Sequence, residues 1–456
     1  MKTLFITIII SIIANPVFGK TITATGKITE FSDTGKLVMQ HLFQDMGIAH
    51  KLIPTKEEEI KPDKKKVAKK EKPAPEEKIT PEPKPVPTPT PRKKTVKKEK
   101  SKGESIIERI KRKNREIMQK KQEKKKRDRF YSLINKNKKK NAFYDDLHKE
   151  KKATLKKWKN LINETRKRWK ERQKEFAKNV DTYKENLFEL DEMASDFSTS
   201  GKNIIKADKG KYKFKTDNDY FVIPGALDVP IRDQGKRPTC AAFSGARALE
   251  TVLQANNISS DLSEQFIYWA SKPKCQKAPC SKKGSWVGHA FRRSQNSSNA
   301  DIPLEQNCPY IKNPLSGNET QIPLQSNCEL GHIKVTGFKR LSNLHDVMNS
   351  IKAGEPVVAG FRLSPNFYFS RSLISMKLAK IKGATDSHAA GHALLLIGHI
   401  KLPEKYRKTE GEFCLLTANS WGEGWGTGGY GCLSERWVKH HLIKNALLAV
   451  NRILIL

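Results

Sequence analysis

The spacing of apolar residues behind Pro238 predicts a helix. Thr239 stands where an N-cap residue is expected, so Cys240 falls in the first helical turn. A capping-box-like stretch at residues 261–264 predicts a second short helix that ends near Ala270. The apolar residues of the first helix recur at intervals of four, three and four, the helical period: Ala242, Ala246, Leu249 and Leu253.

Short apolar runs separated by turn residues dominate the chain from Ile333 onward and predict strands. Helices that come first and strands that come later indicate an α+β domain. We place its start near Tyr220, where the first sustained apolar pattern begins, so the predicted domain covers residues 220–456. The predicted strands are residues 333–338, 356–363, 393–400, 413–418 and 430–433.

The first half of the chain carries a different pattern, in which polar residues dominate. Residues 105–200 lack proline and are rich in charged, helix-forming residues, which predicts a basic helical arm. Residues 61–104 are mainly lysine, glutamate and proline, which predicts an extended, disordered linker. Residues 20–60 are a short N-terminal segment whose scattered apolar residues leave room for one short helix.

Charge separates the same two parts. The chain has 87 Lys+Arg and 49 Asp+Glu, a net charge of +38. Residues 220–456 contribute 29 and 17 of these, a net charge of +12, so +26 belongs to the first 219 residues. The C-terminal 237 residues are enough for an ordinary globular core, whereas the composition of the first part favours a solvated chain.

Residues 1–19 have the pattern of a cleaved signal peptide: one lysine, an apolar run at residues 4–14, and a small residue at Gly19. This predicts a secreted or periplasmic protein. An uncleaved anchor is the alternative, but the run is shorter than the roughly 20 apolar residues of a spanning helix. No later segment is apolar enough to cross a membrane, so none is expected in the mature chain.

The seven cysteines all lie at or after Cys240, which agrees with export to an oxidising compartment. An odd number leaves one thiol free if the other six form disulfide bonds, for which fifteen pairings exist. We predict a bond between Cys414 and Cys432, because both lie on predicted strands that flank the loop at residues 419–430. Buried, reduced thiols are the alternative.

Cys240 is the candidate nucleophile. The positive end of the helix dipole should favour its thiolate and lower the pKa. A base is also needed, and His392 is the one imidazole that interrupts a buried apolar run and has a glycine six positions later. Asn419 ends the next strand and could orient that imidazole. Three histidines lack this context and are taken as surface or packing residues: His289, His388 and His399.

No metal or other cofactor is expected. The cysteines do not occur in CxxC pairs, and the chain has no HExxH motif.

In four blocks the chain resembles the papain-like cysteine peptidases, of a bacterial secreted type. The resemblance implies the papain-like two-subdomain fold, a helical subdomain plus an antiparallel β-barrel-like subdomain with a cleft between them. Cys240 would lie on one wall of the cleft, with His392 and Asn419 on the other. The blocks are Gln234-Gly235 with Cys240 and residues 242–244, residues 262–265, His392 with Gly398, and residues 419–426 with Gly429-Tyr430.

The resemblance also implies an activity, the hydrolysis of peptide bonds through a Cys-His-Asn triad and an acyl-enzyme, with a protein or peptide as substrate. The Gln234 side chain and the Cys240 backbone N–H would stabilise the oxyanion. Trp421 would shield the bond between Asn419 and His392 from water. Two residues match the family's substrate-binding edge, the second of them at a position where the family has glycine: Gly284 and Ser285.

Three positions depart from the family pattern. Ala241 stands where a tryptophan or tyrosine usually follows the nucleophile, and Gly391 stands where an aspartate often precedes the histidine. Arg237 replaces a disulfide-forming cysteine. None of the three performs the chemistry, so they bear on the substrate subsites more than on activity.

Two hypotheses compete for the arm at residues 105–200. It could be an inhibitory proregion, since Arg172, Phe176 and Asn179 match the spacing of the family's proregion helix, with Tyr183 in the isoleucine position and Asn186 one residue short. It could instead bind an anionic cell-envelope surface through its lysines. Nucleic acid is not expected as a partner, because few aromatic residues are interleaved with the lysines.

The prediction for the whole chain is an exported cysteine-type endopeptidase. One alternative is a catalytically inactive papain-like binding protein, which the presence of all four candidate catalytic residues argues against. The other is a Cys-His acyl transferase, such as a transglutaminase-like cross-linker. The order of the motifs and their residues favour hydrolysis over acyl transfer.

Overall fold

The computed structural model describes residues 20–25, 31–48, 106–185, 212, 214, 219–296, 301–313, 315–369, 371–376 and 391–456. The predicted signal peptide and the predicted linker lie outside these residues. Contacts divide the chain into two units, one formed by residues 1–53 and 161–456 and the other by residues 54–160. In the part of the chain described, no helix is long and apolar enough to cross a membrane.

The predicted nucleophile helix begins at Cys240, and the second predicted helix ends at Ala270. Ser263 caps the second helix, because its Oγ accepts the N–H of Phe266 at 3.0 Å. The described α-helices are α1 (Asp33–Met46), α2 (Ile106–Glu185), α3 (Cys240–Gln254), α4 (Glu264–Ala270), α5 (Gly288–Asn296), α6 (Leu344–Lys352), α7 (Glu404–Glu410) and α8 (Glu435–His441).

All five predicted strands are present, and their ends differ from the prediction by no more than two residues. The described strands are β1 (Lys20–Thr23), β2 (Tyr220–Val222), β3 (Ile302–Pro303), β4 (Gly331–Arg340), β5 (Val357–Arg362), β6 (Leu373–Ile374), β7 (Gly391–Lys401), β8 (Phe413–Ala418), β9 (Tyr430–Ser434) and β10 (Leu442–Ile455).

These strands form one sheet in the order β3-β4-β10-β5-β7-β8-β9-β6, with β1 beside β10 and β2 beside β7. All pairings are antiparallel except that of β6 with β9. Helix α3 packs against β7, which is buried from Gly391 to Ile400. The predicted papain-like α+β fold is therefore confirmed.

Gly398 shows why this sheet needs a glycine six residues after His392. A Cβ at this position would lie 2.5 Å from the backbone oxygen of Phe221. That oxygen belongs to β2, which pairs with β7 through Val222 and Gly398. Any larger residue would therefore push β2 off the strand that carries His392.

Three disulfide bonds hold the first unit together, and the predicted Cys414–Cys432 bond is one of them. It joins β8 to β9 on the two sides of the loop at residues 419–429. The other two are Cys275–Cys280, between α4 and α5, and Cys308–Cys328, between β3 and β4. Cys240 remains a free thiol.

The described part of the N-terminal segment is built into the first unit. Strand β1 pairs with β10 from Lys20 to Thr23. Helix α1 places Phe43 against Tyr220 with ring centroids 5.2 Å apart, and its Asp45 accepts a hydrogen bond from Ser372. These contacts join residues far apart in sequence to the sheet that carries His392.

Helix α2 begins in the second unit and ends in the first. In the second unit, the described side chains between residues 113 and 129 are all exposed. In the first unit, four apolar side chains on one face of the helix are buried: Trp169, Phe176, Val180 and Tyr183. The two parts of the helix therefore differ in what surrounds them.

Candidate active site

Cys240 is the first residue of α3 and is completely buried. The backbone N–H of Ala393 donates to its Sγ at 3.4 Å. Thr239 occupies the N-cap position, but its side chain makes no capping bond to the helix. Its hydroxyl instead lies 2.7 Å from the hydroxyl of Tyr310. Thr239 therefore occupies the predicted N-cap position, and its hydroxyl bonds to Tyr310 and not to the helix.

His392 and Asn419 meet as predicted. Strands β7 and β8 are neighbours, and the Nε2 of His392 lies 2.8 Å from the Oδ1 of Asn419. The same oxygen accepts the backbone N–H of Ser420 at 2.8 Å, which fixes the amide. Asn419 thus holds Nε2 of the ring. The other nitrogen, Nδ1, is buried, has no hydrogen-bond partner and can accept a proton.

The nucleophile and the base lie on facing elements. His392 directly precedes Ala393, whose N–H reaches the thiol of Cys240. On the same strand, the carbonyl oxygen of Ala393 accepts a hydrogen bond from the Oγ of Ser244, one turn along α3. The start of α3 is therefore attached to β7 through both backbone polar groups of one residue, Ala393.

Aromatic rings cover the imidazole. The ring of Trp421 lies 4.4 Å from that of His392, and Phe367 packs 6.0 Å from it. Both aromatic residues are buried. This position is the one expected of a residue that keeps water from the bond between His392 and Asn419.

Burial sets the charge state of the pair. It raises the pKa of the Cys240 thiol to about 12, although backbone N–H groups, foremost that of Ala393, oppose the rise. It lowers the pKa of His392 to about 4, against the hydrogen bond that Nε2 donates to Asn419. The prediction that the pKa of Cys240 is lowered is therefore wrong for this buried thiol, because removal from water outweighs the bonds from the backbone N–H groups.

Gln234 lies in the loop before α3 and is buried. Its Nε2 donates to the backbone oxygen of Arg237 at 2.8 Å, and its Oε1 accepts the hydroxyl of Ser420 at 2.6 Å. The amide nitrogen has two hydrogens, so one remains for another acceptor. The side chain is thus fixed between the loop before Cys240 and the loop after Asn419.

Gly284 and Ser285 precede α5 in the helical part of the first unit. Gly284 has a positive φ of 82°, and its oxygen accepts the amine of Lys272 at 2.7 Å. The nearby Val287 packs so closely on α3 that a Cβ at Gly245 would lie 2.4 Å from it. The predicted substrate edge is therefore adjacent to the helix that begins with Cys240.

The rival histidines lie elsewhere. His399 is buried on β7 against Phe221, with ring centroids 6.2 Å apart. His289 lies on α5, and His388 is outside the described residues. No group of three or more metal-binding side chains occurs in the part of the chain that the structure covers.

The sequence did not identify Tyr310 as part of the site. Its hydroxyl donates to the backbone oxygen of Gln234 at 2.8 Å and contacts Thr239. Its ring packs edge-on against Phe243 at 4.8 Å. A tyrosine 70 residues after the nucleophile, two residues after Cys308, carries no local signal, so only the fold could reveal this contact.

Residues 225–450, about half of the chain, match the family described as papain family cysteine protease. This region is a papain-family domain. A cysteine protease of the mite Blomia tropicalis is 28% identical over 206 residues, which cover 44% of this chain and 56% of that protein. Cysteine proteinase A of Leishmania mexicana is also 28% identical over 206 residues, with coverages of 44% and 50%.

The chain therefore spans about half the length of the curated relatives it matches. Among solved structures, xylellain, a cysteine protease from Xylella fastidiosa, is 18% identical with a TM-score of 0.37, covering 50% of this chain and 82% of that one. The proform of the ragweed Amb a 11 cysteine protease is 18% identical with a TM-score of 0.40, with coverages of 61% and 78%. A bacterial type stays a prediction from the sequence.

Proposed function

We propose that this chain is an exported cysteine-type endopeptidase that hydrolyses peptide bonds through Cys240, His392 and Asn419. One observation carries the proposal. His392 is hydrogen-bonded to Asn419, and the residue that follows His392 donates its backbone N–H to the thiol of Cys240. This is the arrangement in which a base is oriented by an amide and faces a free thiol.

The charge states support general-base chemistry. With the pKa of Cys240 raised and that of His392 lowered, the resting pair is a neutral thiol and a neutral imidazole. His392 would accept the thiol proton as Sγ bonds to the substrate carbonyl carbon. It would then give that proton to the leaving amine as the C–N bond breaks.

The remaining thioester is hydrolysed by water, with His392 again as the base, and Cys240 recovers its proton. Two donors would stabilise the oxyanion, the backbone N–H of Cys240 and the free amide hydrogen of Gln234. Trp421 supports this scheme by excluding water from the far side of the imidazole. Gly284 and Ser285 would bind the substrate backbone beside α3.

Export is supported by the three disulfide bonds, which form in oxidising compartments. The signal-peptide pattern at residues 1–19 is the argument from the sequence for secretion. The proposal accordingly places the enzyme outside the cytoplasm, in a secreted or periplasmic location.

We further propose that the end of the arm inhibits the enzyme. The ring of Tyr183 on α2 packs against Trp421 with centroids 5.2 Å apart, and its hydroxyl donates to the carboxylate of Asp233 at 3.1 Å. Phe176 packs on the same Trp421 at 6.1 Å. Asp233 directly precedes Gln234, so α2 lies over the surface that a substrate needs to reach.

One experiment separates the candidate functions. The full-length protein, before and after the chain is cut within residues 186–211, is treated with a thiol-directed epoxide, and peptide hydrolysis is measured beside incorporation of a primary amine. Hydrolysis with labelling at Cys240 is expected, and Cys240→Ala should abolish both without loss of fold. Labelling with amine incorporation in place of hydrolysis would indicate an acyl transferase. Neither labelling nor turnover, before and after removal of the arm, would indicate an inactive binding protein.

A further inference from the structure

Arg237 is a buried cation beside the nucleophile. It precedes Cys240 by three residues and has no exposed surface. Its guanidinium donates to three neutral acceptors: the Oε1 of Gln265 at 2.7 Å, the backbone oxygen of Ile311 at 2.7 Å and that of Glu319 at 2.6 Å. A buried charge is costly unless such bonds compensate it, so the site is built around this side chain.

Two tyrosines enclose the guanidinium. Its central carbon lies 5.2 Å from the ring centroid of Tyr268 and 5.0 Å from that of Tyr310. Cations over aromatic faces at this distance are attracted by the ring electrons. Arg237 therefore connects α4, which carries Gln265 and Tyr268, with two loops that are distant in sequence.

The backbone oxygen of Arg237 holds the groups that are predicted to bind the oxyanion. Its oxygen accepts the Nε2 of Gln234 at 2.8 Å and the N–H of Thr239 at 2.8 Å. Tyr310, held by the guanidinium, bonds through its hydroxyl to the oxygen of Gln234 and to Thr239. One residue thus fixes both the amide of Gln234 and the peptide that leads into Cys240.

We infer that Arg237 and Tyr310 are positioning residues that hold the oxyanion-binding loop, residues 234–240, in place of a covalent cross-link. The two residues touch no reacting atom, and they act through Gln234 and the backbone of Cys240. The inference rests on the proposed function, since the loop has this role only if an oxyanion forms there. An arginine is required, because the three acceptors and two rings need a planar group with several donors.

The test compares two reactions of Cys240 in the full-length protein. Alkylation by iodoacetamide displaces iodide and forms no oxyanion, whereas a peptide aldehyde adds to the thiol and places its oxygen in the oxyanion site. Arg237→Lys keeps the charge and loses the planar geometry. It should weaken aldehyde binding and lower kcat about tenfold or more, with KM and the alkylation rate changed less than about twofold.

Tyr310→Phe is the second variant, because it removes the hydroxyl and keeps the ring beside the guanidinium. It should show the same pattern with a smaller loss. Arg293→Lys is the matched control, since Arg293 stacks on Trp269 at 4.9 Å and bonds to Gln276 without touching the loop. The control should leave both reactions unchanged.

Equal losses of alkylation and aldehyde binding in folded Arg237→Lys and Tyr310→Phe would overturn the inference, as would unchanged aldehyde binding in both. If Arg237→Lys fails to fold, the comparison in Tyr310→Phe decides. A wild-type protein that binds aldehyde but cleaves no peptide, even after the chain is cut within residues 186–211, would refute the proposed hydrolase, and the effect of the two variants on aldehyde binding would still be measured separately.

Discussion

The hydrogen bond between His392 and Asn419 assigns different tasks to the two residues. The imidazole moves a proton in both halves of the proposed reaction, whereas the amide only keeps the ring in one orientation. Asn419 also bonds to the N–H of Ser420, so its loss would loosen the loop as well. The difference in task can be measured.

We expect Asn419→Ala to lower kcat less than His392→Ala, whose loss should be about a hundredfold or more because general-base catalysis contributes about that much. The measurement is steady-state kinetics on one peptide, with circular dichroism to confirm folding. His289→Ala is the control, because that histidine lies on α5 away from the pair. Equal losses in the two test variants would contradict the assigned tasks.

His399 offers a test of burial at the residue scale. Burial lowers its pKa to about 4, Lys352 adds to this effect, and Asp219 opposes it. The rings of Phe214 and Phe221 face the imidazole. Below the unfolded pKa of 6.5 the unfolded state binds a proton that the folded state excludes, so the free energy of unfolding must fall as the pH drops from about 6.5 to about 4.

His399→Gln should flatten this dependence. A pKa difference of this size corresponds to about 3 kcal/mol, so the stability of the wild type relative to the variant should decrease by roughly that amount between pH 7 and pH 4. Denaturant unfolding at several pH values measures it. Comparing the two proteins cancels the opposite contribution of the buried carboxylates, whose pKa values are raised. Parallel pH curves would refute the assignment.

At the scale of elements, the sequence predicted best where a pattern was local. The apolar run at residues 413–418 became β8 without a change in its ends. Strand β10 was not predicted, since Lys444, Asn445 and Asn451 interrupt its apolar residues. The structure accommodates them with a positive φ of 63° at Asn445 and bulges near Val450, which depend on pairing with distant strands.

The candidate triad was likewise predictable, because each residue sits in a local motif. In the sequence, Arg237 stood out only because it replaces a cysteine of the family pattern. No local pattern connects it to the three residues that accept its hydrogen bonds: Gln265, Ile311 and Glu319. The pKa of Cys240 was predicted in the wrong direction for a related reason. Helix position can be read from a sequence, whereas complete burial depends on the whole fold.

Helix α2 gives a prediction at the same scale. If its contacts on Trp421 are inhibitory, Tyr183→Ala should raise the turnover of a small peptide by the full-length protein, because it removes the ring contact with Trp421 and the bond to Asp233. Lys178→Ala, an exposed position on the same helix, is the control. Cutting the chain within residues 186–211 should raise turnover further, since the arm then loses its direct C-terminal connection to the catalytic domain and keeps only the one through α1 and β1.

Adding the separate arm back should restore inhibition after the cut. Turnover that is equal in the wild type, in Tyr183→Ala and in the cut protein would mean that α2 is a fixed part of an active enzyme. The cut is preferable to deletion of the N-terminal half, because β1 and α1 also belong to the first unit, which contains the sheet.

At the scale of the whole molecule, charge is the property that the enzyme proposal leaves unexplained. The first 219 residues carry +26 of the total +38, and the described side chains of α2 at residues 113–129 are exposed. Ile117 and Met118 are about half exposed within this stretch. A solvated helix of this charge should be attracted to any dense array of negative groups. The proposed partner is an anionic envelope surface.

We therefore expect the full-length protein to bind anionic phospholipid vesicles at low salt and to be released as salt is raised, with no binding to neutral vesicles. Each lysine near such a surface contributes about 1 kcal/mol, so replacing Lys120, Lys121 and Lys124 by glutamine should weaken binding about a hundredfold. The matched control replaces three exposed lysines of the first unit and should change binding far less: Lys274, Lys277 and Lys444. Equal effects would show that net charge alone matters, and tighter binding to a nucleic acid of random sequence would identify a different partner.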